Sequence, residues 1–78
     1  MPHYFFDTRD GETFIEDDEG LDLPGLEAAK REATLSLAEL AREVIAGSER
    51  RILIVEVREG PKPVLEARLT FEVVVLAG

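Results

Sequence analysis

The only histidine, His3, stands near the start of the chain, while Ser36 falls inside a helix pattern and Ser48 just beyond its end. A hydroxyl nucleophile needs an adjacent base that a third group orients. These spacings bring neither serine to His3, so no triad is expected and His3 reads as a strand-end histidine. Carboxylates are plentiful, but a pair works as acid and base only where its surroundings separate the two pKa values. No apolar pocket follows from the pattern, so these groups read as solvated. The run Glu16-Asp17-Asp18-Glu19-Gly20 invites a calcium loop. With Gly11 at the glycine position of an EF-hand frame, Phe6 comes first and Asp17 last; with Gly20 there, Ile15 comes first and Leu26 last. Neither frame supplies the required carboxylates. The glycines are scattered singly, which leaves no phosphate-cradling loop. Catalytic residues, metal ligands and cofactors are therefore all expected to be none.

The formal net charge of -8 argues against nucleic acid, whose binding draws on a basic surface. Arg50 and Arg51 are too few to make such a patch and read as solvated flanks of a strand. The acidity is concentrated: residues 1–22 hold eight acidic groups against Arg9 alone, whereas residues 23–78 hold nine against eight basic ones. Asp10, Glu16, Asp17, Asp18 and Glu19 thus form a candidate acidic surface. It either guards an edge strand or docks a basic partner.

Two β-prone runs, Tyr4-Phe5-Phe6 with Thr8 and Thr13-Phe14-Ile15, flank Arg9-Asp10-Gly11-Glu12, a hairpin signal. A two-residue type I′ turn sets Phe6 opposite Ile15; a three-residue turn with a glycine bulge sets Phe6 opposite Phe14. After Leu23-Pro24, a helix opens at the N-cap Gly25. Leu26, Ala29, Ala33, Leu37, Leu40 and Val44 recur at spacings of three and four and form its inward stripe. Leu35 points the opposite way, and Gly47 is the expected left-handed residue past the helix end. Residues 51–58 alternate Leu53, Val55 and Val57 against Ile52, Ile54 and Glu56. After a turn at residues 59–62, Leu65, Ala67, Leu69, Phe71, Val73 and Val75 alternate with polar residues.

The expected fold is α+β: a ββαββ chain whose four-stranded antiparallel sheet has the order 2-1-3-4, with one helix packed on one face. The uncovered face then collects Ile52, Ile54 and either Phe5 or Phe6. With Leu35 and the uncharged Val73, Val74, Val75 and Leu76 on an outer strand, these make the candidate interface. Seventy-eight residues allow one domain, 1–78, with a thin core. Without cysteine there is no disulfide or thiolate metal site to reinforce it, so oligomerisation, a dimer first, is the remaining support. The uncharged stretch from Val73 to Gly78 is too short to cross a bilayer and no leader pattern opens the chain, so a cytoplasmic protein with no membrane partner is expected.

Tyr4-Phe5-Phe6, Arg9-Asp10-Gly11, Asp17-Asp18-Glu19-Gly20, Leu23-Pro24, Leu26-Glu27-Ala28-Ala29 and Pro63-Val64-Leu65 together resemble a family of short uncharacterised bacterial proteins. It is a domain of unknown function common among rhizobia and other alphaproteobacteria. The resemblance implies a shared fold and a bacterial cytoplasmic origin, and it transfers no active site. The chain departs from it at Gly25, where such proteins often carry Asp, and in the apolar stretch Val73 to Leu76. The expected function is a non-enzymatic interaction module that self-associates through its sheet and docks a protein partner, with a regulatory or antitoxin-like role as one form of it. The alternative is a weak metal- or small-ligand-dependent activity using the N-terminal carboxylates.

Overall fold

The computed structural model describes residues 1–77, so Gly78 lies outside the described residues. The elements run β1 (His3–Asp10), β2 (Thr13–Ile15), β3 (Leu21–Asp22), α1 (Leu26–Val44), β4 (Arg50–Glu59) and β5 (Lys62–Glu72). The α+β class, the single helix and the antiparallel sheet are as expected. The strand count is not: the sheet has five strands, in the order β2-β1-β4-β5, with the two-residue β3 also pairing with β1. The additional strand arises because the acidic segment after β2 folds back and returns to β1 beyond β2, setting His3 opposite Asp22 and Tyr4 opposite Leu21.

Neither expected hairpin register occurs. Asp10 lies opposite Thr13, Arg9 opposite Phe14 and Thr8 opposite Ile15, so the two-residue loop is Gly11-Glu12 and not Asp10-Gly11. Gly11 has φ 61 and no non-glycine residue has positive φ, which excludes type I′ and matches the II′ pattern of glycine first. The second hairpin repeats the device: Glu59 faces Lys62 across Gly60-Pro61, with Gly60 at φ 59. Asp10 stays in β1 because its neighbour strand needs it there, opposite Leu53 and bonded to Arg51.

Leu53, Val55 and Val57 are fully buried on the face that α1 covers, and the helix packs over β4 and β5. Its buried positions are Ala29, Ala33, Leu37 and Ala41. The stripe is thus rotated slightly from the expected one: Ala41 enters the core, Leu26 is exposed, and Leu40 and Val44 flank it. Three small alanines on this stripe let helix and sheet approach closely, which suits a thin core. Gly25 is the N-cap, without a side-chain cap. The helix ends at Val44 with Ile45 as C-cap, so left-handed Gly47 falls two residues past the cap. Tyr4 joins this core and Phe6 packs against it, so of the Phe5-Phe6 pair it is Phe5 that lies on the uncovered face.

Candidate functional site

The outer side of β1 is closed by three devices in succession. Along an antiparallel strand alternate residues point their N–H and C=O to one side. On β1 these are Tyr4, Phe6, Thr8 and Asp10. β2 lies opposite Thr8 and Asp10, and β3 lies opposite Tyr4. Between them the Phe6 N–H donates to Asp17 Oδ2 at 3.0 Å, a side chain taking the place of a strand. Asp17 Oδ1 accepts from the N–H groups of Glu19 and Gly20, which fixes the tight turn leading to β3. Burial alone works against the ionised carboxyl of Asp17, yet the three N–H donors outweigh it and hold its pKa below the ordinary value.

Arg58 secures that loop from the uncovered face. Its Nε donates to Asp7 Oδ2 at 2.8 Å, one terminal nitrogen donates to the Asp17 carbonyl at 2.9 Å, and the other donates to the Gly60 carbonyl at 3.1 Å. The guanidinium lies 4.4 Å from the centroid of Phe5, a cation–π contact. Asp7 is buried, and its second oxygen accepts from the Asp17 N–H at 2.9 Å. His3 finishes the closure. Its Nδ1 donates to Asp22 Oδ1 at 2.6 Å and its Nε2 to the Glu19 carbonyl at 2.8 Å. Both partners are acceptors, so the doubly protonated ring satisfies both, and the Asp22 bond followed by the Glu19 bond raises the pKa of His3.

Arg51 is not a solvated flank. It takes Asp10 in a bidentate pair at 3.0 and 2.8 Å and donates to the Val44 carbonyl and Ser48 Oγ at 2.9 Å. A cation at the last helical carbonyls also suits the helix dipole. The hydrogen bond from Arg51 lowers the pKa of Asp10. Of the five expected docking carboxylates, Asp10 and Asp17 are therefore engaged inside the fold, while Glu16, Asp18 and Glu19 stay exposed. No sequence pattern marks these partners, because Asp10 and Arg51 are separated by 41 positions and Asp7 and Arg58 by 51. A single carboxylate amid the Phe5-Phe6 apolar run of β1 is the one available signal.

Among the described residues, no group of three or more His, Asp or Glu side chains is arranged to hold a metal ion. The concavities are open grooves, one of them between α1 and β5, lined by Leu26, Thr34, Leu65 and Ala67 among others. On the uncovered face, Ile52 and Ile54 are separated from a continuous patch by Arg9, Glu56, Arg58, Glu66 and Arg68. Leu35 is half exposed on the helix, away from the sheet. Among the described residues, no helix is long and apolar enough to cross a membrane.

The other side of the sheet ends on β5, which pairs with β4 and, among the described residues, has no neighbour on its outer side. The Val73 N–H donates to the Glu49 carbonyl at 2.8 Å, so the odd residues from Val73 back to Leu65 turn their backbone groups toward β4. Glu66, Arg68, Thr70 and Glu72 therefore present N–H and C=O outward. Val73 to Leu76, expected on an outer strand, are not paired as one: β5 ends at Glu72 and the next residues overrun the end of β4. Their exposure rises from 51% at Val73 to 93% at Leu76.

No curated protein and no solved structure matches the chain. The match to a family model spans residues 3–70, from the first residue of β1 into β5, and stops short of the apolar overrun. With that much of its length covered, including every residue that closes the β1 edge, the chain belongs to the family described as Domain of unknown function (DUF6894).

Proposed function

We propose that the protein is a non-enzymatic interaction module that self-associates through the β5 edge of its sheet. What carries this reading is the contrast in how polar groups are used. His3, Asp7, Asp10, Asp17, Arg51 and Arg58, the side chains best suited to chemistry, are each committed to internal bonds. The backbone of β5 is uncommitted on its outer side and continues into Val73, Val74, Val75 and Leu76, with no charge to discourage pairing. Strand addition at such an edge gains main-chain hydrogen bonds and covers apolar side chains at once. Sedimentation velocity at micromolar concentration tests it. The expected mass is at least twice the 8.7 kDa of the chain, and Val74→Lys lowers it. A folded chain that sediments as a monomer throughout that range removes the reading.

A further inference from the structure

We infer that β5 pairs with β5 of a second copy, antiparallel about a two-fold axis at Thr70, so that each copy's apolar overrun becomes a strand on the other; this rests on the self-association proposed above and fixes its register. A two-fold axis perpendicular to the sheet places residue i opposite residue j with a constant sum of numbers, and side chains of opposed residues share a face. Like charges directly opposite one another are destabilising, and opposite charges stabilise. That rule sorts the registers. An axis at Glu66 or Arg68 sets that residue against itself, and an axis at Leu69 sets Glu66 against Glu72. An axis at Ala67 pairs Glu66 with Arg68 but leaves Val73 to Leu76 in water. An axis at Phe71 covers the overrun without pairing any charge.

An axis at Thr70 meets both requirements. Arg68 comes opposite Glu72 twice, once on each side of the axis, and Glu66 comes opposite Val74, so no like charges meet. On the face that carries the helix, Leu69 comes opposite Phe71, Ala67 opposite Val73 and Leu65 opposite Val75. The incoming valines thus land beside the groove between α1 and β5, where Leu26 is exposed and Leu65 and Ala67 form the sheet side. The backbone agrees: Glu66, Arg68, Thr70 and Glu72 are the residues whose N–H and C=O point outward, and they are the ones that exchange hydrogen bonds in this register. The irregularity of the ladder beside Val57 and Arg58, which leaves Val64 unmatched, bounds the regular stretch of β5 at Leu65. In this register Leu65, the start of that stretch, comes opposite Val75, so the partner's overrun covers it to its end.

The chain has no cysteine, so a single introduced thiol reports only its own self-pairing. Thr70→Cys in the full chain, oxidised at micromolar concentration, is expected to give mostly covalent dimer, whereas Ala67→Cys and Arg68→Cys give little. In sedimentation equilibrium, Arg68→Glu and Glu72→Arg are each expected to weaken association roughly tenfold, and the double variant to recover most of it. A dimer whose Thr70→Cys form does not cross-link, or cross-links less than Ala67→Cys, overturns this register and leaves self-association standing. A wild-type chain that remains monomeric overturns both.

Discussion

The outer side of β1 and the outer side of β5 are both sheet edges, yet the chain treats them differently. Along β1 a three-residue strand, a carboxylate and a two-residue strand succeed one another, and Arg58 and His3 fasten the segment that supplies them. Along β5, eleven residues have no neighbour on the outer side. The difference shows what the N-terminal acidity does: Asp7, Asp10 and Asp17 serve as hydrogen-bond acceptors for buried or edge donors, and the surface charge of that segment is left to Glu16, Asp18 and Glu19 among others. One edge is shut by residues the family model covers, and the other continues past the point where that model ends.

The strongest way to break the comparison is to unfasten the closed edge. Arg58→Met leaves Asp7 buried without its cation and frees the carbonyls of Asp17 and Gly60. Asp7 stays buried after its partner is removed, so its charge is left uncompensated. Urea denaturation is expected to show a larger drop in midpoint than either Gly20→Ala or Gly11→Ala. A midpoint equal to that of the unaltered chain would mean that Arg58 is a bystander and that the loop holds itself in place.

Gly20 offers a smaller and more local break. It has φ +70, and a Cβ there comes within 2.6 Å of both His3 Nε2 and the Tyr4 carbonyl oxygen. The histidine can swing away but the strand carbonyl cannot, so Gly20→Ala is expected to cost about 1–3 kcal/mol through strain and displacement of β3. Gly11, at φ +61, meets nothing within 4 Å, so its alanine variant bears only the backbone cost of a positive φ, with no steric contact added. Measured side by side, Gly20→Ala should have the lower urea midpoint, with faster hydrogen exchange at Leu21 and Leu23. Equal midpoints would show that β3 contributes nothing to the closure.

The two edges were not equally legible. Period-two alternation in β4 and β5 reports burial against a helix, which is local in sequence, so Leu53, Val55, Val57 and the exposed face of α1 at Leu35 could be read directly. The hairpin turn could not. Asp10-Gly11 has the local preference for a type I′ loop, but the bidentate bond to Arg51 holds Asp10 in the strand and moves the loop one residue on. β3 was invisible for the same reason. Two residues carry no periodicity, and their position is set by Asp17 and His3 acting across 11 and 19 positions. Polar contacts between distant segments leave no spacing signature, whereas hydrophobic faces do. The exposure of Val73 to Leu76 was foreseen only as composition, since their length relative to β4 decides whether they are paired.

The finest test of the closed edge is its response to pH, and it isolates His3. The Asp22 carboxylate and then the Glu19 carbonyl favour the protonated ring, so its pKa in the folded chain lies above the ordinary 6.5. A raised value means that folding binds the proton more tightly, so the stabilising contribution of His3 is complete below about pH 6.5 and is lost as pH rises through the raised value. Asp10 and Asp17 have the opposite sign: their lowered values make their contributions complete above about pH 4 and lost as pH falls below it. The closed edge is therefore held best between those limits. Thermal unfolding is expected to show a midpoint that declines from pH 6 to pH 9, and His3→Gln is expected to flatten that decline while leaving the loss in acid unchanged. The ring is exposed, so the global change is small, and hydrogen exchange at Gly20, Leu21 and Leu23 is the sharper probe. Those amides should exchange disproportionately faster above the His3 titration, beyond the general effect of pH, while amides of β4 do not. A uniform response across both would mean that the imidazole titrates without opening β3, and the closure would then rest on Asp17 and Arg58 alone.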